Sequence, residues 1–301
     1  YYTLLKSALL LDSPGFKHIW IDGLGMDPWG RKMSKSLGNG IDANSVLECG
    51  AGGRTGSWKI RGPDKVVNLR ANKIGSECFR LWKACDAQVG DDFQINPEDI
   101  EQKYFGVLTK LFNVARFASQ FPVPSNLENL TDNLQPEDEW ILSEFQLVMT
   151  RVEQGWKEID IYTAAQSLKN FATGVLPSHW LEMVKSRLYD GDEAAAWTLH
   201  RIVRDLLDAF APICPFFSHY LSSTLYNRSA VEADTFPQLT LNFETEKWTE
   251  LTESVMFFNS EVWKMKKDQG LSLNSEIVGL SIPSNLDSLQ ISLTRMHKLI
   301  D

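Results

Sequence analysis

From about residue 98 to Pro215, apolar residues recur at intervals of three and four, and this helical periodicity constrains the fold more than any other feature. The first helix is predicted to begin at Pro97, and the acidic residues Glu98 and Asp99 follow, which is favourable at the positive end of a helix dipole. Its apolar stripe comprises Tyr104, Val107, Leu108, Leu111, Val114, Ala115 and Ala118.

Three further amphipathic helices follow this first one. A connection with three prolines spans residues 121–136, and the second helix begins at Pro136. Asp160 is predicted to cap the third helix, Pro177 to interrupt it, and Asp192 to cap the fourth. Four long helices with short connections predict an α-helical bundle, which we place at residues 98–240.

The preceding segment, residues 1–97, has a different organisation. Residues 1–11 are typical of the end of an apolar helix, residues 12–15 of a turn, and residues 16–24 of a strand, after which glycines break the chain into a loop. A helix, a strand and a loop in this order predict the last part of an open α/β sheet, in which ligands bind beyond the carboxyl ends of the strands.

The structure of two further segments is also predicted. Glycines and a proline punctuate residues 51–76, which favours an exposed hairpin or loop insertion. Residues 241–301 are predicted to form a small α/β tail, with a helix near 246–268, a strand at 277–282 and a final helix near 287–300. Three lysines lie near the end of the first tail helix: Lys264, Lys266 and Lys267. Their position favours complementation of the helix dipole over contact with RNA.

Composition restricts the classes of function. The formal net charge of -9 argues against a general nucleic-acid binder, although an acidic protein can still carry a local basic face. No apolar run approaches the roughly 20 residues of a membrane span. The four cysteines form no Cys-x-x-Cys pair, so we expect reduced thiols, a cytoplasmic location and no structural zinc: Cys49, Cys78, Cys85 and Cys214.

The segment Gly30–Asn39 carries the clearest chemical signal. Lys32 and Lys35 stand three apart in a glycine-flanked loop, and lysine is a flexible point charge suited to phosphate. Ser34 and Ser36 add hydroxyl donors. Cations placed beside a polyphosphate stabilise the charge that develops when a carboxylate displaces pyrophosphate from ATP. A solvated Lys/Ser turn is the alternative, and the ten-residue string after a predicted strand argues against it.

This string resembles the KMSKS signature of class I aminoacyl-tRNA synthetases, with no departure in residues 32–36. The resemblance implies a Rossmann-type catalytic domain whose C-terminal part is residues 1–97. It also implies that Lys32 and Lys35 are catalytic and that the ATP-binding residues are Lys32, Met33, Ser34, Lys35 and Ser36. ATP would be the substrate and would bring Mg²⁺.

The resemblance extends beyond the loop. Residues 39–42 are similar to the stretch after KMSKS in the valine, isoleucine and leucine enzymes, although Ala43 replaces the usual proline. Residues 80–82 and 90–93 resemble the exit from the catalytic domain, which normally lies closer to the signature, so residues 51–76 are identified as an insertion.

Residues 110–117, 181–189 and 211–216 resemble helices of the anticodon-binding domain shared by these enzymes. An acidic pair that often follows the last of these is replaced by Ser218 and His219. The resemblance implies that the bundle binds tRNA, and the candidate anticodon contacts are Asn113, Arg116 and Phe117. Packing of Phe117 in the bundle and a surface ion pair for Arg116 remain the alternative.

Within the class, the Gly-Asp-Asp-Phe segment and the Asn-x-x-Arg-Phe helix most resemble the valine enzymes, which implies tRNA-Val as partner. An isoleucine or leucine enzyme and a non-catalytic tRNA-binding module remain alternatives. The histidine motif of the other catalytic half does not occur here. The chain alone is therefore expected to be inactive, and valine to bind through an N-terminal half that this sequence lacks.

Overall fold

The structure is a computed structural model and describes residues 2–12, 18–49, 56–230 and 236–300. It is rich in helices, with three two-stranded sheets in the described part. Among the described helices, none has the length and apolarity to cross a membrane. Residues 13–17 and 50–55 lie outside the described residues, and with them part of the predicted turn, strand and hairpin segment.

The N-terminal part begins with helix α1 (Tyr2–Leu11), as predicted, but the strand predicted at 16–24 is wrong for residues 18–24. Strand β1 is Gly25–Met26, and it pairs in parallel with β4, Phe93–Gln94. Ile19 and Ile21 are 58% and 70% exposed. A strand needs a neighbouring strand along its length, and among the described residues the segment 18–24 has only an isolated bridge between Asp22 and Val89 and scattered backbone bonds to Gly90 and Phe93.

The hairpin is present, with strands β2 (Gly56–Arg61) and β3 (Val66–Ala71) paired antiparallel. The expectation that it is exposed is wrong for one of its faces. Trp58 and Ile60 are buried on the face of β2 that packs on helix α2 (Ala43–Glu48), because side chains alternate between the faces of a strand, and α2 in turn contacts α3 (Gly75–Asp86). The hairpin is therefore part of the core of this region.

The first bundle helix begins where predicted. Asn96 caps α4 (Pro97–Ile100), which continues through a π-helical stretch, Glu101–Phe105, into α5 (Gly106–Ala118). Five of the seven residues of the predicted apolar stripe are buried on α5, and Tyr104 is fully buried just before it.

The remaining bundle helices are α6 (Pro136–Glu158), α7 (Ile161–Asn170), α8 (Leu181–Tyr189), α9 (Glu193–Phe210) and α10 (Pro215–Tyr226). Asp160 and Asp192 cap α7 and α9 as predicted. Pro177, however, does not interrupt its helix, because a π-helical segment, Phe171–Trp180, joins α7 to α8. A wider turn accommodates a residue that has no N–H to donate.

A buried ionic cluster joins two of these helices. Arg187 on α8 donates to Glu137 at 2.9 Å and to Asp138 at 2.7 Å, both in the first turn of α6. It also bonds to the α9 cap, Asp192, at 2.9 Å. This cluster fixes the ends of three helices relative to one another.

The tail contains α11 (Glu246–Thr249), α12 (Thr252–Asp268), a 3-10 helix (Ser284–Leu289), α13 (Gln290–His297) and a parallel pair, β5 (Ile277–Val278) with β6 (Leu299–Ile300). It packs on the bundle, since Trp140 of α6 donates to Thr252 at 3.0 Å. Lys266 is fully buried and donates to two carbonyl oxygens of the tail, those of Leu273 and His297. Lys266 therefore stabilises the fold of the tail. This role differs from both interpretations of the sequence, which were complementation of the helix dipole and contact with RNA.

Candidate functional site

The loop that carries the two spaced lysines rises from a compact base built around Asp27. Asp27 is fully buried. Its Oδ1 accepts from the backbone N–H of Trp29 at 3.0 Å and of Arg31 at 2.9 Å, and its Oδ2 accepts from Arg31 Nε at 2.9 Å. These bonds close a tight turn, after which Met26 and Lys32 form an antiparallel bridge. The first lysine therefore leaves the end of a fixed turn.

The second element of the base is Asn39, which is also fully buried. Its Nδ2 donates to Asp27 Oδ2 at 2.9 Å and to the carbonyl of Lys32 at 3.1 Å, and its Oδ1 accepts from the N–H of Ser34 at 2.9 Å. One side chain thus joins the turn to the first half of the pentapeptide. We call Asp27, Arg31 and Asn39 the loop clamp.

The loop clamp contrasts with the lysines that it supports. Lys32 and Lys35 are exposed, and the ammonium group of neither has a hydrogen-bond or ion-pair partner among the described residues. Arg31, by comparison, pairs with Asp27 and lies 5.6 Å from the Trp29 ring centroid. The structure therefore holds the backbone of the loop and leaves two ammonium groups available to an anionic ligand.

The serines have unequal roles in the turn. The hydroxyl of Ser34 accepts from the N–H of Leu37 at 3.2 Å and lies 3.1 Å from the hydroxyl of Ser36. Met33 is half-buried, and its N–H donates to the Gly25 carbonyl at 2.9 Å. Ser34 and Met33 therefore shape the loop, while Ser36 is exposed, as are the two lysines.

Burial alone would raise the pKa of Asp27, but hydrogen bonds from Asn39, from Arg31 and from the N–H of Trp29 outweigh it and hold the pKa below its usual value. Both of its oxygens are occupied by these donors. Within the described ranges, no three His, Cys, Asp or Glu residues are grouped so that they could hold a metal ion. The donor set of the loop, cations and hydroxyls, suits phosphate oxygens rather than a cation.

The second predicted group lies on α5 rather than near the loop. Asn113 and Arg116 are exposed, and no ion pair is formed by Arg116 among the described residues. Phe117 is half-buried, with its ring centroid 5.1 Å from that of Phe121 and 6.3 Å from that of Tyr189. Phe117 thus packs against two neighbouring rings of the bundle, whereas the surface ion pair considered for Arg116 is absent among the described residues, and the anticodon contacts stay a prediction.

Three histidines of the bundle and tail take part in structural contacts. Asn259 bridges His179 and His297, at 2.9 Å and 2.7 Å, inside the contact between the tail and the bundle. His200 bonds to Tyr226 and to the Phe121 carbonyl at 3.2 Å each.

Sequence reasoning missed the loop clamp. The sequence assigns Asn39 only to the string and to the stretch that follows it, and it gives Asp27 no role. A short polar residue at each end of a lysine loop is a recognisable signal, because Asp and Asn often close turns through their own side chains.

Two family models match the chain. The model described as "tRNA synthetases class I (I, L, M and V)" matches residues 1–96, and "Anticodon-binding domain of tRNA ligase" matches residues 138–282.

Curated relatives cover nearly the whole chain. The valine–tRNA ligase of Pyrobaculum aerophilum is 31% identical over 100% of the chain, and that of Aeropyrum pernix 30% identical over 99%. The chain spans only 35% and 34% of these relatives, about a third of their length. A crystal structure of the Agrobacterium radiobacter K84 agnB2 LeuRS–tRNA–LeuAMS ternary complex matches 79% of this chain and 27% of its own, with a TM-score of 0.58 and 18% identity. This last likeness concerns the fold alone.

Proposed function

Because the chain belongs to the class I tRNA synthetases of the I, L, M and V group, we propose that it carries the phosphate-binding loop and the tRNA-binding region of a valine–tRNA ligase. The observation that carries the proposal is the loop itself, in which a buried clamp fixes the backbone and leaves Lys32 and Lys35 unpaired.

In the proposed reaction the carboxylate of valine attacks the α-phosphate of ATP, the bond to the β-phosphate oxygen breaks, and pyrophosphate leaves. Negative charge grows on the α-phosphate and on the leaving group. Lys32 and Lys35 place their ammonium groups beside these oxygens, where they stabilise the transition state more than the ground state. Ser36 and the backbone near Met33 and Ser34 complete the ATP contact.

The loop clamp acts as a positioning device in this proposal. Asp27 and Asn39 do not touch ATP, but they set the direction in which Lys32 leaves the turn. Magnesium would be held by the phosphate oxygens of ATP, since both carboxylate oxygens of Asp27 already accept hydrogen bonds from neighbouring donors of this chain.

The proposal includes a domain layout. Residues 1–97 would be the C-terminal part of a Rossmann-type catalytic domain, residues 98–240 the anticodon-binding bundle, and residues 241–301 a tail. On α5, Asn113 and Arg116 would contact unpaired anticodon bases, and Phe117 would support them from the bundle side. The protein would act in the cytoplasm on tRNA-Val.

Valine specificity is supported by the relatives, which include valine–tRNA ligases at 28% to 31% identity. An isoleucine or leucine enzyme is the alternative within the group, and a tRNA-binding module without catalysis is the alternative outside it. An enzyme of the group activates an amino acid, whereas a tRNA-binding module without catalysis activates none.

The test is amino-acid-dependent exchange of pyrophosphate into ATP, measured on the protein at its full natural length. Lys35→Ala should lower the exchange rate by about a hundredfold or more, because a charge that acts only in the transition state contributes about 3 kcal/mol. Lys247→Ala, which removes an exposed lysine of the tail, is the matched control and should leave exchange unchanged. Exchange with isoleucine or leucine but not valine would change the substrate, and equal exchange in Lys35→Ala would refute the role of the loop.

A further inference from the structure

The outer face of the β2–β3 hairpin is strongly basic on an otherwise acidic chain. Residues 56–73 contain one acidic residue, Asp64, against five basic ones, whereas the net charge of the whole chain is -9. The inner face is buried and apolar, so the pleat sends the charged residues to solvent. The five exposed cations are Lys59, Arg61, Lys65, Arg70 and Lys73.

These cations differ from most arginines of the bundle in having no carboxylate partner. Arg187, Arg201 and Arg204 each form ion pairs with Asp or Glu. Among the described residues, no ion pair involves Lys59, Arg61, Lys65, Arg70 or Lys73.

Two carboxylates outside the hairpin bond to its backbone, and neither forms an ion pair with a described cation of the hairpin. Glu98 accepts from the backbone N–H of Arg70 at 3.1 Å, and Glu101 accepts from that of Lys73 at 2.8 Å. Both acids therefore lie along the backbone of β3, at its end far from the hairpin turn. The positive charge on the outer face is left for a partner outside this chain.

The register spaces the cations evenly. Ser57 pairs with Arg70, Lys59 with Asn68, and Arg61 with Val66. Residues two apart on a strand are about 7 Å apart, so Arg70, Lys59 and Arg61 follow one another on successive rungs. We call these three residues the hairpin cations.

The end of this row meets the KMSKS loop. The N–H of Arg61 donates to the Gly38 carbonyl at 3.1 Å, and the guanidinium of Arg31 contacts the Arg61 carbonyl. A polyanion lying along the hairpin cations would therefore be led towards Lys32 and Lys35.

We propose that the outer face of the β2–β3 hairpin binds the phosphate backbone of the tRNA arm that ends in the amino-acid-accepting terminus. This rests on the proposed function, because the adenylate forms at the loop and the accepting end of the RNA must come to it. Regularly spaced cations suit sequence-independent contact with a duplex backbone.

The test uses this chain and two RNA hairpins of equal length, one copying the acceptor arm of tRNA-Val and one its anticodon arm. Binding is measured by fluorescence anisotropy across a series of salt concentrations. The variant Lys59→Ser/Arg61→Ser/Arg70→Ser removes the hairpin cations. The control variant Arg151→Ser/Lys247→Ser/Arg295→Ser removes the same charge from exposed positions of the bundle and tail.

The hairpin variant should bind the acceptor-arm RNA at least about tenfold more weakly near 0.1 M salt, and its slope of log affinity against log salt should be shallower by about 2 to 3. Its affinity for the anticodon-arm RNA and its thermal unfolding should match the unmodified chain. The control variant should bind the acceptor arm like the unmodified chain.

Equal losses in the two variants would overturn the proposal, because they would show an effect of net charge alone. Equal losses for the two RNAs would overturn the assignment to the acceptor arm. Unchanged acceptor-arm binding in the hairpin variant would overturn the proposal while leaving tRNA binding, and with it the proposed function, intact. If the unmodified chain binds neither RNA, the tRNA partner itself is wrong, and pyrophosphate exchange reports separately on the loop.

Discussion

Changing Asn39 to Asp is the sharpest perturbation of the loop clamp, because it alters one atom without changing the shape of the side chain. The Asn39 Nδ2 donor lies 2.9 Å from Asp27 Oδ2 and 3.1 Å from the Lys32 carbonyl. In Asn39→Asp an oxygen replaces it and faces two acceptors in a fully buried position. Two attractive contacts become repulsive, while the bond from the Ser34 N–H is kept.

The free-energy penalty of Asn39→Asp is estimated from the repulsion between two carboxylates, and it cannot exceed the cost of protonating one of them. Two carboxylates about 3 Å apart at an effective dielectric constant of about 20 would repel by about 5 kcal/mol. Protonating an ordinary aspartate, with a pKa of about 3.9, costs about 4 kcal/mol at pH 7 and about 2 kcal/mol at pH 5.5. Because protonation costs less than the repulsion between two charges, one carboxyl group is protonated, and the penalty at pH 7 is about 4 kcal/mol. Asp27 keeps the hydrogen bonds from Arg31 and from the N–H of Trp29, which favour its charged form, so the new side chain takes the proton.

The assay is hydrogen–deuterium exchange of peptides covering residues 27–39, at pH 7 and pH 5.5, each compared with the unmodified chain at the same pH. Exchange should be faster in Asn39→Asp, and the difference in opening free energy should shrink by about 2 kcal/mol at the lower pH. Asn113→Asp makes the same chemical change at an exposed position and should have no effect. A difference that does not depend on pH, or that stays below about 1 kcal/mol at both values, would refute the electrostatic account of the clamp.

Two further predictions concern the stability of the bundle and tail. Arg187→Leu should lower the free energy of unfolding by about 3 to 5 kcal/mol, measured by urea titration, because it strands the buried carboxylates of Glu137 and Asp138 without their cation. Burial lowers the pKa of His179 and of His297 to about 4, so below about pH 6.5 the unfolded chain binds protons that the native chain does not. Stability should therefore fall from pH 6.5 to pH 4, by about 3 kcal/mol for each histidine.

Each of these has a matched control. Lys185→Leu removes the neighbouring, more exposed ion pair with Glu182 and should cost less than about 1 kcal/mol. His219→Gln, at an exposed position, should leave the pH dependence unchanged. A loss in Lys185→Leu equal to that in Arg187→Leu, or a stability that is constant between pH 6.5 and pH 5, would contradict the respective arguments.

The helical part of the fold was predictable because its signals are local. Asp160 and Asp192 cap helices through hydrogen bonds to N–H groups three residues ahead, and such caps can be identified from the sequence. Pro177 was misjudged because its local rule is to break a helix, and the π-helical segment that accommodates it depends on packing with neighbours. The strand predicted at residues 16–24 is wrong for residues 18–24 for a related reason, since strand formation requires a partner that a single segment does not specify.

The candidate site likewise contains residues that the sequence identifies and contacts that it does not. Lys32 and Lys35 are recognisable because their chemistry requires no partner within the chain. The loop clamp joins Asp27 to Asn39 across twelve positions, and the contact of Arg61 with the loop crosses a whole hairpin. Pairings of this kind depend on the folded geometry, so they could be found only in the structure.

The way in which cations are distributed separates residues that hold the fold from those proposed to bind ligands. Arg187 and Lys266 are buried and satisfied by groups of this chain, so removing either should be felt mainly as lost stability. Lys35 and Lys59 are exposed and have no ion-pair partner among the described residues, so removing them should leave stability nearly unchanged and weaken binding to phosphate. A mutation at either position that lowers both stability and binding would indicate that the unmodified side chain has a structural role that the geometry does not explain.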